Sequence, residues 1–287
     1  MAVHDRAFRP YSGPTTDPAR RFLVVTRYAL REVFRSRLAT LVFASAFLLP
    51  AAGATFMYLR YNFKALEALK IPLSDLIHVD SLFFMVLMSW QSFGVGGILT
   101  LLVGPGLVSA DLANNALPLY LSRPLSKGQY VAGKLAVLAL LLSAITWVPG
   151  LLLFGLQAVL AGGEWTRSHL HLPVAILGGS LLWILVMSLM VLAASALTKR
   201  KVAAQSLLAG AVIGGAAVGD AINEIFRTEW GLALNLGELM RSLLEGLYRV
   251  SLEAPLPLAG PLVALPLLCG ACVFLLAWRL KAKEVAR

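Results

Sequence analysis

Residues 109–134, SADLANNALPLYLSRPLSKGQYVAGK, form a polar and basic stretch between two very long apolar runs. A connection between neighbouring helices needs only about four to six residues, so this one is long enough to hold structure of its own. Pro124 disfavours helical backbone at the residue before it, which predicts the end of a short helix that begins at Asp111. Ser126, with Gln129 three residues later, predicts a capping box and a new helix.

The composition places the flanking runs in a membrane. The chain has 287 residues, 59% hydrophobic and 14% charged, with a mean hydropathy of +0.78, which is too apolar for an ordinary soluble domain. A helix needs roughly 20 residues to cross a hydrocarbon core of about 30 Å. We therefore predict an all-α integral membrane protein with six transmembrane helices. The six runs are residues 38–59, 81–107, 131–160, 172–197, 202–219 and 259–278.

Residues 18–37 have the pattern of an amphipathic helix before the first run. One face holds Arg20, Arg27, Arg31 and Arg35, and the opposite face holds Phe22, Val25, Ala29 and Val33. Such a helix is expected to lie in the membrane interface. The alternative is a basic flank that only orients the first span. Residues 1–17 are expected to form an N-terminal tail, and residues 18–287 a single transmembrane domain.

The basic residues are distributed unequally between the two sides of the membrane. If both termini lie on one side, that side holds eighteen Lys and Arg and the other side holds seven. Cytoplasmic loops carry the excess of Lys and Arg, so both termini and residues 109–134 are predicted to be cytoplasmic. The net charge of +10 then follows from topology, which argues against a nucleic-acid partner because such a partner needs a basic patch on a folded surface.

The longest outer segment, residues 220–258, is predicted to contain a helix that begins after Asn235. Glu238 stands at the third position after this N-cap, and leucines follow at helical spacing. The helix is expected to lie on the membrane surface or to re-enter the membrane. Its apolar stripe, from Leu236 to Leu247, is interpreted as an anchor.

The run at residues 202–219 contains two consecutive glycine pairs at a spacing of four, Gly210 with Gly214 and Gly215 with Gly219. Small residues at this interval let helix backbones approach closely in lipid. The partner is either a second copy of the chain or another helix of the same chain. Because the run has only about 18 residues, we expect it to stop short of the outer surface.

The six runs contain almost no ionisable side chain away from their ends, whereas ion-coupled transporters use such residues inside the membrane. The candidates for a translocation path are polar and uncharged: Ser89, Gln91, Ser92 and Gln205. No catalytic residue, cofactor site or metal site is predicted. Gly128-x-x-x-x-Gly133-Lys134 matches the start of a phosphate loop, but Leu135 stands where Ser or Thr must hold magnesium. Cys269-x-x-Cys272 lies in an apolar run and His169-x-His171 lacks further ligands.

The opening stretch resembles the segment between the second and third helices of ABC-2 type transporter permeases. That family has an acidic residue, a small-residue and Leu stretch, Ser/Arg-Pro, a basic residue and an aromatic-x-x-Gly-Lys helix entry. Here these are Asp111, NALPLYLSRPLSK at residues 115–127 and YVAGK at residues 130–134. Asp111 stands where Glu is commoner, and Asn114-Asn115 stand where Gly-Thr is often found. The span count and the flanking helices extend the resemblance to essentially the whole chain.

The resemblance implies the membrane subunit of an ATP-driven exporter in a bacterial inner membrane. Such a subunit forms the translocation path, pairs with a second permease copy and is not itself an enzyme. Two cytoplasmic ATPase subunits bind ATP and Mg. Residues 109–130 would be the coupling segment that docks into the ATPase. The implied coupling residues are Asp111, Asn115, Leu117, Leu119, Leu121, Arg123 and Lys127.

Two other classes of protein stay open at the level of sequence. A secondary transporter is expected to show an internal repeat with broken helices at corresponding positions, and the sequence shows no such repeat. A membrane scaffold or assembly factor would show no nucleotide-dependent conformational change. The opening stretch would then be a solvated basic loop without a partner.

Overall fold

The computed structural model describes Asp17 and residues 20–62, 78–116, 120, 125–250 and 259–281. Every regular element within these residues is a helix. In chain order the α-helices are α1 (Arg21–Arg35), α2 (Arg37–Ser45), α3 (Leu48–Tyr61), α4 (Ser81–Ser89), α5 (Gly97–Ala113), α6 (Lys127–Ile145), α7 (Trp147–Ala161), α8 (Gly163–Ser168), α9 (His171–Leu197), α10 (Lys201–Phe226), α11 (Leu236–Tyr248) and α12 (Ala259–Lys281). A π-helical turn, Trp90–Gly96, joins α4 to α5, and a 3₁₀ helix, Trp230–Leu234, precedes α11.

Six helical stretches are long and apolar enough to cross a membrane. This confirms the prediction of an all-α membrane protein with six spans. The first to sixth spans are Arg37–Tyr61, Ser81–Ala113, Lys127–Ala161, His171–Leu197, Lys201–Phe226 and Ala259–Arg279.

The fifth span is longer than its apolar run. α10 has 26 residues, which corresponds to about 39 Å at 1.5 Å per residue. It continues past Gly219 through Asp220 and Glu224, whose side chains are exposed. The expectation that this span stops short is therefore wrong, because charged residues that face water can extend a helix beyond the point where its apolar run ends.

The first three spans are interrupted, whereas the last three are single helices. The first span breaks between α2 and α3, at Ala46 and Phe47, and the third breaks at Thr146, between α6 and α7. The second span changes to π-helical geometry over Trp90–Gly96. The break in the third span lies one turn before Pro149.

The fourth span, α9, lies at the centre of the bundle and contacts α5, α6, α7, α10, α11 and α12. Glycines let neighbouring helices approach it. A Cβ atom at Gly104 of α5 would lie 2.5 Å from Val191 Cγ2, and one at Gly150 of α7 would lie 2.8 Å from Ile176 Cγ2. At these glycines the backbones of the second and third spans therefore lie directly against side chains of α9.

The amphipathic helix predicted before the first span is α1, and its apolar face packs on α6. Val25 is buried, and Ala29 and Val33 are half-buried, while the arginines on the other face are exposed. Thr26 Oγ1 donates a hydrogen bond to the Gly133 carbonyl of α6 at 3.0 Å. The part of the apolar stripe around Val25 is thus covered by the third span of the same chain.

The predicted helix after Asn235 is α11, and the Asn235 side chain accepts hydrogen bonds from the Gly237 and Glu238 amides, as an N-cap does. Its apolar stripe packs between the spans. A Cβ atom at Gly179 of α9 would lie 2.7 Å from Leu244 Cδ2. Gly179 is eight residues, or about 12 Å, from the start of α9, so this contact favours a re-entering helix over a helix on the membrane surface.

Candidate functional site

An acidic, a basic and an aromatic side chain meet where the second span ends and the third begins. Lys134 Nζ lies 2.8 Å from Asp111 Oδ2, and the Tyr130 hydroxyl donates a hydrogen bond to the same oxygen at 2.7 Å. The Lys134 side chain is 7% exposed and that of Asp111 is 17% exposed. We call these three residues the Asp111 cluster. It is a largely buried ion pair with a hydrogen bond that helps to satisfy the carboxylate.

Local sequence explains why the cluster forms. Tyr130 and Lys134 are four residues apart on α6, so they lie on one face of the helix. Ser126 and Gln129 form the predicted capping box at the start of α6, which fixes the position of that first turn. The sequence did not predict the cluster as a set. Lys134, the eighth residue of α6 and followed by an apolar run, is nevertheless a signal in itself, because a buried lysine requires a carboxylate partner.

Helix α1 packs against the same turn of α6 from another side. A Cβ atom at Gly133 would lie 2.9 Å from the Phe22 carbonyl oxygen and 3.0 Å from Val25 Cβ. Thr26 bridges the two helices, donating to both Phe22 and Gly133 carbonyls. The start of the third span is therefore fixed by α1 as well as by Asp111 of the second span.

The described coupling residues do not all belong to a separate short helix. Asp111 lies on the last turn of α5, which is continuous with the second span, so the helix predicted to begin there has no break before it. Asn115 follows the end of α5 with a φ of 49°, and Lys127 is the first residue of α6. Four coupling residues lie outside the described residues: Leu117, Leu119, Leu121 and Arg123.

The Gly104-Pro105-Gly106 stretch is held in place by the fourth span. Ser195 Oγ of α9 donates to the Pro105 carbonyl at 2.6 Å and accepts from the Ser109 amide at 2.8 Å. Helix α5 continues through the proline. The last turns of α5, including Asp111, are therefore attached to α9 rather than free to swing.

Two residues predicted to line a translocation path, Gln91 and Gln205, instead donate hydrogen bonds to backbone carbonyls. Each of these carbonyls lacks its usual helical donor because a proline follows four residues later. A proline at position i has no N–H for the carbonyl of residue i−4. Gln205 of the fifth span donates to the Leu101 carbonyl at 3.0 Å, four residues before Pro105. The amide side chain thus replaces the bond that Pro105 cannot make.

Gln91 does the same for two prolines at once. Its Nε2 donates to the Ala46 carbonyl at 2.7 Å and to the Ile145 carbonyl at 2.6 Å. These carbonyls lie four residues before Pro50 and Pro149, in the first and third spans. Gln91 is fully buried in the π-helical turn of the second span. Its two hydrogen bonds therefore connect the irregular turn of the second span to the helix breaks of the first and third spans.

The two serines of the predicted path have different surroundings. Ser92 is buried, whereas Ser89 lines a cavity of about 290 Å³ with Trp90 and with Arg241 of α11. Arg241 is itself paired with Glu245 at 2.9 Å. The structure therefore does not gather the four path candidates Ser89, Gln91, Ser92 and Gln205 at one site, and the two glutamines are engaged in bonds between spans.

The two glycine pairs of the fifth span face different surroundings. A Cβ atom at Gly215 would lie 2.8 Å from the Leu234 carbonyl oxygen, and one at Gly219 would clash with the Gly231 carbonyl oxygen, both in the 3₁₀ helix of the same chain. Cβ atoms at Gly210 and Gly214 would meet no atom within 4 Å. Gly215 and Gly219 form an intrachain contact, and Gly210 and Gly214 lie on an open face.

The residues of the phosphate-loop, histidine and cysteine patterns make structural contacts with other parts of the chain. Lys134 of the phosphate-loop pattern pairs with Asp111. His171 exchanges a hydrogen bond with Ser81 at 3.0 Å, and Cys269 and Cys272 are free thiols packed in the apolar core. No group of three or more potential metal ligands occurs within the part of the chain that the structure describes.

Comparison with known proteins adds no family to these observations. No family model matches the chain, and no curated protein matches it at a significant level.

Proposed function

We propose that the chain is the membrane-spanning permease subunit of an ATP-driven exporter, and that a separate cytoplasmic ATPase drives it. The observation that carries this proposal is the Asp111 cluster. The connection after residue 113 leads from one span into the next, and the buried pair of Asp111 with Lys134 joins those two spans at its base. A force applied to the connection would therefore move both spans together.

The contacts of α5 extend this path through the bundle. Ser195 links the end of α5 to the fourth span, and Gln205 links it to the fifth. Thr26 links the start of the third span to α1. A partner that displaces the connection would thus act on four spans and on the interfacial helix through direct hydrogen bonds.

The distribution of charge supports an external energy source. Within the described residues of the six spans, ionisable side chains other than cysteine and tyrosine lie near the span ends, as Lys201, Glu224 and Arg279 do. An ion-coupled transporter places such groups near the membrane midplane. The interruptions also fall only in the first three spans, which differs from the paired broken helices of an inverted repeat.

The proposal includes partners and an orientation. The chain would form a dimer with a second copy, bind one ATPase per copy and lie in a bacterial inner membrane with both termini in the cytoplasm. ATP and Mg would bind to the ATPase alone. A secondary transporter or a membrane scaffold would have no such nucleotide-dependent partner.

Site-directed cross-linking tests the proposal. The cysteines are first removed as Cys269→Ala and Cys272→Ala. Asn114→Cys then places a cross-linker on the exposed residue that follows α5, and Ser168→Cys places it on exposed α8 as the matched control. We expect Asn114→Cys, and not Ser168→Cys, to capture an ATP-hydrolysing protein in native membranes.

The captured ATPase is then purified with the permease. Its ATP turnover should depend on the permease and fall when Leu117 and Leu119 are both replaced by Asp, while membrane insertion stays normal. Capture of no ATPase, or an ATPase whose turnover ignores the permease and the double substitution, would overturn the proposal.

A further inference from the structure

A cavity of about 510 Å³ lies between α1, the last three turns of α5 and the starts of α6 and α10. It is distinct from the polar residues predicted to line a translocation path. Ala29 and Val33 of α1 and Leu102 and Gly106 of α5 are among the residues that line it. Tyr28, which is 67% exposed, lies at its rim. The volume is within the usual range for small-molecule sites, about 300–1,000 Å³.

The lining changes from apolar to polar along the direction of the spans. Leu102 lines the deep end of the cavity, and Asp111 lines the end nearest the membrane surface, with Tyr120 and Lys134 beside it. Leu102 and Asp111 are nine residues apart on one helix, which corresponds to about 13 Å along its axis. A membrane leaflet has the same sequence of environments, from acyl chains to head groups.

Two lysines, Lys134 and Lys201, and two carboxylates, Glu32 and Asp111, line the cavity, and the ion pairs leave one lysine over. Asp111 is neutralised by Lys134, and Glu32 at the rim pairs with Arg35 at 3.5 Å. Lys201 also lines the cavity, and it has no ion-pair partner within the described residues. It is the first residue of α10, where unpaired backbone N–H groups add positive partial charge.

A second polar group faces the same space. Burial, and then the nearby Asp111 carboxylate, raise the pKa of Tyr120. Its hydroxyl is therefore protonated at neutral pH and can donate a hydrogen bond. Gly106 leaves the wall open, since the nearest atom to a Cβ there would be Lys201 Cδ at 3.8 Å.

We propose that this cavity binds an anionic phospholipid from the adjacent leaflet. Lys201 pairs with the lipid phosphate, and the glycerol and upper acyl chains lie against Leu102, Val33 and Ala29. The proposal is independent of the proposed export function, because it requires only that the chain lies in a bilayer.

Lipid binding to the purified full-length chain in detergent tests this site. The probe is a fluorescent phosphatidylglycerol, and the competitors are short-chain phosphatidylglycerol, short-chain phosphatidylcholine and inorganic phosphate. Lys201→Gln removes the positive charge that has no ion-pair partner within the described residues, and Lys199→Gln removes an exposed charge two residues away that does not line the cavity. Gly106→Leu fills the cavity, and Gly97→Leu adds the same side chain where a Cβ atom meets nothing within 4 Å.

We expect Lys201→Gln to weaken phosphatidylglycerol binding about fivefold, from the loss of one lysine at a membrane surface, and Lys199→Gln to have little effect. Gly106→Leu should abolish binding while Gly97→Leu retains it, with both variants unfolding at the wild-type temperature. Phosphatidylglycerol should displace the probe better than phosphatidylcholine. Equal displacement by the two lipids, displacement by inorganic phosphate alone, or equal effects of the two lysine substitutions would overturn the proposal.

Discussion

Gln91 donates a hydrogen bond of 2.6 Å to the carbonyl oxygen of Ile145, across the interface between the second and third spans. Ile145 lies four residues before Pro149, so its carbonyl has no helical donor. In a membrane an unsatisfied backbone group costs several kcal/mol, and no water replaces the missing donor. The proline thus requires a side chain from another span, and Gln91 provides it.

Replacing Gln91 by Met should destabilise the protein, because Met has a similar size and no donor. We expect a loss of about 1–2 kcal/mol, since interhelical side-chain hydrogen bonds in membranes contribute roughly 0.6 kcal/mol on average and up to about 1.7, and Gln91 makes two. The measurement is the unfolding midpoint in a denaturing detergent titration. Ser89→Ala, two residues away, is the control and should be near neutral.

A second experiment tests whether the Gln91 hydrogen bond replaces the donor that Pro149 lacks. In a Pro149→Ala background the residue 149 amide can donate to the Ile145 carbonyl, so Gln91→Met should cost less than in the wild type. A double-mutant cycle measures the difference. An equal loss in both backgrounds would show that Gln91 does not compensate for Pro149.

Breaking the Asp111 cluster from one side should be more damaging than removing its charges together. Lys134→Met leaves a buried carboxylate unpaired, for which about 3–5 kcal/mol is typical, reduced here because Asp111 is partly exposed. The double variant Asp111→Leu with Lys134→Met should recover much of that stability. Thermal unfolding checks this.

The same variants separate a structural role of the pair from a coupling role. The double variant should remain folded but show reduced permease-dependent ATP turnover. A folded double variant with wild-type turnover would mean that the pair only stabilises the bundle.

The two glycine pairs of the fifth span should respond differently to one substitution. Gly219→Leu should destabilise the single chain strongly, because the new side chain meets the Gly231 carbonyl. Gly214→Leu should leave single-chain stability unchanged and disturb a dimer that uses this open face. Thermal unfolding and intersubunit cross-linking are measured in parallel. A stable, unchanged dimer with Gly214→Leu would place the seam elsewhere.

Membrane topology is tested by labelling single cysteines from each side of the membrane. Cysteines at Lys127 and at the termini should react only from the cytoplasm, and one at Glu164, beside Trp165, only from outside. Glu245 also belongs to the predicted outer side, but it is 5% exposed and paired with Arg241, so Glu164 is the better probe. Outside labelling at position 127 would overturn the orientation.

The class of fold and the bounds of several elements could be predicted from local sequence patterns. Six apolar runs set the six spans, because each must satisfy its backbone hydrogen bonds internally within a bilayer. The capping box at Ser126 and the N-cap at Asn235 located the starts of α6 and α11 within a residue. These features depend on neighbours within a few positions, which a sequence displays directly.

The contacts between distant residues could not be predicted in this way, because they depend on how the spans pack. Gln91 and Gln205 carry polar groups suited to a translocation path, yet each binds a carbonyl left by a proline in another span. Gly214 and Gly219 have the same spacing pattern, yet one is open and the other touches the 3₁₀ helix. The physical reason is that an apolar helix has the same hydropathy pattern whichever face it turns to its neighbours, so the rotation of each span is set by packing against the others.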